Sequence, residues 1–162
     1  AEDGNVVADN FIDGENKDDF TQKSMTLEEI KKISPVDIKM PQNLPEGYEF
    51  NPDASYVTFV FDDIYEINFF YYNLENHGEK IEYTIIPLKN RKTISDLTDK
   101  DESELTKKTE NQIEYTYSNN DKDMFNIIYW DTDEIFYMLK GNLTGEELLE
   151  VALSNGLEEK ND

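Results

Sequence analysis

An α+β fold is predicted: an antiparallel sheet of about six strands, with a C-terminal helix packed on one face and a short N-terminal helix. Three observations predict it. Six runs alternate apolar and polar residues with a period of two, two capping-box patterns flank them, and nine Phe, ten Tyr and one Trp supply bulky residues for a half-buried pleat. A chain of 162 residues has the length of one ordinary domain.

The first segment carries Glu2, Asp3, Asp9, Asp13, Glu15, Asp18 and Asp19 against Lys17 and Lys23, with few large apolar side chains. It cannot offset its ordering entropy, so residues 1–24 are expected to be a flexible acidic tether, 25–157 a single α+β domain and 158–162 a disordered tail. Thr26 with Glu29 has the capping-box spacing, Met25 and Ile30 stand as a hydrophobic staple, and Pro35 stops the chain, which places a helix over 26–33. Pro41, Pro45 and Gly47 then fix an extended lead-in and a turn.

Strand alternation begins at Val57, Phe59 and Phe61 and continues through Tyr65, Ile67, Phe69 and Tyr71, then Ile81, Tyr83 and Ile85. Asn76-His77-Gly78 is a turn signal between the second and third runs, so those two form a hairpin. Residues 88–111 are polar and read as a long loop, with one candidate helical turn at Thr93–Leu97. Alternation resumes at Ile113, Tyr115 and Tyr117, then Phe125, Ile127 and Tyr129, then Ile135, Tyr137 and Leu139, a three-stranded meander. Thr144 with Glu147 repeats the capping box. Leu148, Val151 and Ala152 share one helical face, and Gly156 stands where a C-cap belongs.

Composition excludes several classes of function. With 37 acidic and 15 basic residues the net charge is −22, which repels the phosphate backbone of nucleic acid and anionic lipid surfaces. The absence of cysteine removes disulfides, thiolate metal sites, iron–sulfur clusters and a cysteine nucleophile, and one histidine cannot build a histidine-rich metal site. No apolar run reaches the ~20 residues that span a bilayer. The opening Ala1–Asn5 has neither an initiator methionine nor a signal-peptide pattern, so a mature or trimmed product is expected, attached to a membrane only through an anchor N-terminal to Ala1.

No catalytic residue, cofactor or metal is expected. His77 lies in a turn where a polar ring is comfortable in water, and no Gly-x-Ser-x-Gly elbow accompanies it. With 37 acids, a carboxylate pair carries no information by itself. A weak calcium site is conceivable at Asn119–Asp123 and Asp131–Asp133, and an EF-hand-like start at Asp9 fails at Phe11 and Phe20, where oxygen ligands should stand.

The alternating aromatics Tyr65, Phe69, Tyr71, Tyr83, Tyr115, Tyr117, Phe125, Tyr129 and Tyr137 are expected to pack under the C-terminal helix. The opposite parity holds Phe70, Tyr72, Ile128, Trp130, Phe136 and Met138, the candidate ligand or partner face. The first helix and the proline lead-in are expected to cover that face, the alternative being a groove for an apolar ligand or a peptide.

From Leu44 to Gly156 the order of signals resembles a bacterial family of uncharacterised domains, domain of unknown function family 4367. Leu44-Pro45-Glu46-Gly47-Tyr48, Tyr71-Tyr72-Asn73 and Ile128-Tyr129-Trp130 carry the resemblance. So does Phe136-Tyr137, leading through Gly141-Asn142-Leu143-Thr144 to Glu146-Glu147-Leu148-Leu149 and Ala152. The resemblance implies an extracytoplasmic C-terminal domain of a membrane-anchored Gram-positive protein, in some cases beside anti-sigma-factor modules, and it implies no catalytic residue. The expected function is a non-enzymatic sensor or interaction domain, monomeric, binding a protein, peptide or cell-envelope component. The rival is a carrier holding a lipid or lipopeptide on the sheet face.

Overall fold

A computed structural model describes residues 20–87, 105–121, 124–132 and 135–155. In chain order the elements are β1 (Phe20–Ser24), α1 (Leu27–Ile33), β2 (Tyr48–Phe50), β3 (Tyr56–Val60), β4 (Asp63–Asn73), β5 (Lys80–Pro87), β6 (Leu105–Glu110), β7 (Ile113–Ser118), β8 (Asn126–Asp131), β9 (Ile135–Gly141) and α2 (Gly145–Leu153). The described strands all pair antiparallel in one sheet of order β1-β3-β4-β5-β9-β8-β7-β6, and β2 pairs the C-terminal end of β4. The sheet is thus two meanders, β3-β4-β5 and β6-β7-β8-β9, zipped together where β9 pairs β5 from Ile81↔Gly141 to Pro87↔Ile135.

The α+β fold matches the expectation, and the strand count is corrected from about six to nine among the described residues. The three additional strands are β1, β2 and β6, with sequences FTQKS, YEF and LTKKTE. None has enough apolar alternation to signal itself. β1 and β6 end the sheet, where one flank is wet and a lysine on the edge discourages pairing with another chain. β1 also occupies the last residues of the segment read as a tether. Tight two-residue turns close the β3–β4 and β6–β7 hairpins, with positive φ at both Phe61 and Asp62 and at both Asn111 and Gln112. That is the backbone geometry whose twist suits adjoining strands. Phe61, read as the last residue of the first strand run, lies instead in the turn after β3 and is 60% exposed.

One face of the sheet carries the core. A row of cross-strand partners, Tyr117, Ile128, Leu139, Tyr83 and Phe69, runs across five strands with every side chain buried. Tyr83 stacks between Phe69 (6.0 Å) and Tyr137 (6.4 Å). Helix α2 packs on β7, β8 and β9 through Leu148, Leu149, Val151 and Ala152. Truncating a leucine buried as Leu148 is to alanine typically costs ~2–5 kcal/mol. At its start, a Cβ on Gly145 would clash with Asn119 Oδ1 and the Ser118 carbonyl oxygen, so only glycine lets α2 approach the end of β7 this closely.

Both capping boxes form as expected. Thr26 Oγ1 accepts from the Glu29 amide (3.1 Å) while the Thr26 amide donates to Glu29 Oε1 (2.9 Å), and Thr144 with Glu147 repeats the same distances. The C-cap of α2 is Ser154, and Gly156 lies outside the described residues. Ser154 Oγ donates to the Val151 carbonyl (2.6 Å) and accepts from the amides of Gln42 (3.1 Å) and Asn43 (3.0 Å), which ties the lead-in to the helix end.

The expectation that α1 and the lead-in cover the second face is overturned. Ile30 belongs to the same core cluster as Tyr83 and Leu148, with Val36, Ile38, Met40 and Leu44 packed against it. The Tyr83 hydroxyl donates to the Lys39 carbonyl (2.5 Å) and lies 3.1 Å from Asn155 Oδ1. Both described helices and the lead-in therefore pack on one side, because the apolar residues of all three complete a single core.

Candidate functional site on the second sheet face

The other side of the sheet has its own row of cross-strand partners: Thr116, Tyr129, Met138, Thr84, Asn68 and Tyr56. The residues beside this row come from the same strand parity. Phe70 packs against Tyr56 (6.1 Å) and Tyr72 (6.4 Å), the Lys80 ammonium sits 5.4 Å from the Phe70 ring centre, and Tyr129 packs against Phe136 (5.8 Å). Ile86 and Phe136 are buried yet lie outside the main core cluster.

Four of the six residues expected on this face are there: Phe70, Tyr72, Phe136 and Met138. Ile128 and Trp130 are not. Both are buried on the helix side, Ile128 opposite Leu139 and Trp130 opposite Tyr137, with the Trp130 ring stacked on Tyr137 (5.1 Å) and against Tyr115 (5.4 Å). The reason is Asn126, which shares their parity and is fully buried. Its Oδ1 accepts from Ser118 Oγ (2.8 Å) and the Asn120 amide (2.6 Å), and its Nδ2 donates to the carbonyls of Asn120 (3.0 Å) and Leu143 (2.7 Å). A polar residue with every partner supplied can occupy a core position, so the apolar alternation of this strand misleads by one. Phe125 and Tyr129, expected under the helix, therefore fall on the opposite phase, Phe125 exposed with Lys140 Nζ 5.4 Å from its ring centre.

A polar centre with Asn68 and Thr84 buried lies among these aromatic residues. Thr84 Oγ1 donates to Asn68 Oδ1 (2.7 Å), and Asn68 Nδ2 donates to Glu66 Oε2 (2.7 Å). Burial holds the Glu66 carboxyl above the usual carboxylate range. The Asn68 bond opposes that shift and the nearby charge of Glu82 adds to it. Tyr56 is pushed up to about 12 by burial first and by the charges of Glu66 and Glu82 after it. This chemistry was hidden in the sequence because Glu66, Asn68, Glu82 and Thr84 sit where a solvent-facing parity would place them.

Toward one end of the same face, a groove of about 770 Å3 opens between the β6–β7 hairpin and β8, lined among others by Glu114, Thr116, Tyr129 and Asp131. His77 is exposed at the β4–β5 turn beside a smaller hollow of about 400 Å3. That turn is held by Asn73 and Asn76 bonding to Glu79, and no described residue bonds His77. Among the described residues no group of three His, Cys, Asp or Glu lies close enough to hold a metal ion. The EF-hand-like start at Asp9 and the turn at Thr93–Leu97 lie outside the described residues, as do Lys122, Asp123 and Asp133 of the acidic turns.

No helix among the described residues is long and apolar enough to cross a membrane. No curated protein and no solved structure matches the chain. Residues 38–154, from the lead-in to the C-cap of α2, match the family described as Domain of unknown function (DUF4367), and the chain belongs to that family.

Proposed function

We propose that this chain is a non-catalytic recognition domain, carried outside the cell by a membrane-anchored bacterial protein, and that it meets its partner through the second sheet face. The supporting observation is the division between the two faces. Helices and lead-in complete the core on one side, while the other side keeps aromatic residues around a polar centre with Phe70, Tyr72, Tyr129 and Met138 only half-buried. Grouped aromatic and polar side chains on a rigid sheet are the usual anatomy of a recognition surface. The net charge of −22 favours a neutral or basic partner over an acidic one. Joined to an anchor and an intracellular module of the anti-sigma type, occupancy of this face becomes a signal.

Co-sedimentation of the purified chain with Gram-positive envelope preparations tests this reading. Tyr72→Ala combined with Met138→Ala is expected to weaken binding at least tenfold, and Glu150→Ala on the exposed side of α2 to leave it unchanged. The opposite pattern overturns the assignment. An acyl chain that co-purifies with the protein would instead support an apolar carrier, with the half-buried Phe70, Tyr72 and Met138 as its contacts.

A further inference from the structure

β7 and β8 are in register at two residue pairs, Thr116↔Tyr129 and Tyr117↔Ile128, whereas β6–β7 and β8–β9 each run for six. Past Thr116 and Tyr129 the ladder stops, so the backbone edges of 113–115 and 130–132 are not laddered to each other. On the helix side the rings of Tyr115 and Trp130 close the gap at 5.4 Å. On the second face it opens as the groove of about 770 Å3, a volume typical of small-molecule sites. Asn111, Gln112 and Glu114 line one side and Tyr129, Asp131 and Thr132 the other, with apolar Ile113, Trp130 and Ile135 also in the lining.

These residue types select a ligand chemistry. Each carboxamide presents a donor and an acceptor side by side, each carboxylate presents two acceptors and the threonine hydroxyl does both, a set that pairs with neighbouring hydroxyl groups. Among the described residues no Lys, Arg or His lines the groove, and Glu114 with Asp131 repels an anion. An apolar ligand would strip water from these groups and return no hydrogen bond. Tyr129 is half-buried and backed by Phe136 at 5.8 Å, so its ring is a fixed platform for the C–H face of a pyranose. Asn111 and Gln112 are both in the left-handed region, at φ 52° and 71°, in a two-residue turn that fixes where their side chains start.

We propose that this groove binds a short neutral saccharide. The proposal rests on the second face being the recognition surface and names the class of ligand it takes. An array of neutral and anionic oligosaccharides probed with the intact chain, followed by NMR titration with the best neutral binder, tests it. Saturable shifts of the amides of 111–116 and 129–132 are expected. Glu114→Ala combined with Asp131→Ala, both at exposed positions, should weaken binding at least tenfold without lowering the melting temperature. Binding of anionic saccharides alone, no saccharide binding, or shifts elsewhere that the double variant does not affect would overturn it. If saccharides fail while the Tyr72 and Met138 substitutions still reduce envelope binding, the recognition face stands and this ligand class falls. An extended peptide pairing with the edges of β7 and β8 would overturn it as well.

Discussion

Glu66 is the residue whose environment works hardest against its charge. It is mostly buried, feels the charge of Glu82 and accepts a bond from Asn68. Its raised pKa means that the folded state holds the proton more tightly than the unfolded chain. Stability is therefore highest below the ordinary carboxylate range and falls as pH rises through the folded value. Glu66→Gln keeps an oxygen to accept the Asn68 bond and removes the charge. At pH 7 it should raise Tm, because burial no longer confines a charge in the folded state. The gain should vanish as pH falls below the carboxylate range, and thermal melts of both proteins from pH 3 to 8 check this. No sequence pattern marks Glu66, because an acid at alternate strand positions reads as solvated. The same blindness misplaced Ile128 and Trp130, since a buried, fully bonded Asn126 is indistinguishable by type from an exposed one.

At the scale of elements, legibility followed the strength of local signals. Both capping boxes and the six strongly alternating strands stand in the sequence, since caps and pleats impose residue types directly. Edge strands β1 and β6 are held by backbone pairing, which leaves no mark on composition. The Phe61–Asp62 turn was invisible for a related reason: it holds a bulky residue at φ 55°, where Asn or Gly would normally signal the hairpin. Replacing the pair by Asn-Gly should stabilise the fold by about 0.5–1 kcal/mol through relieved strain. Urea unfolding measures the change. Because Phe61 is 60% exposed, no core contact offsets that gain.

The whole molecule is one sheet with an unequal pair of faces, carrying a net charge of −22. Self-repulsion at this charge opposes compactness and is screened by salt within about 10 Å at 0.1 M. Raising sodium chloride from 0.02 to 0.5 M, about a fivefold contraction of the screening length, should therefore raise the melting temperature at pH 7. A flat or falling response would mean that the acids are already compensated. The two-faced design was half legible: parity separated Phe70, Tyr72, Phe136 and Met138 from the core, but which face the helices would choose depends on long-range packing. That the second face carries recognition is tested most directly by hydroxyl-radical footprinting of the intact chain with and without solubilised Gram-positive envelope fragments. Protection of Tyr72, Tyr129 and Met138 with Met40 and Leu153 unchanged is the predicted result. Protection of Met40 and Leu153 with the second face unchanged would contradict it.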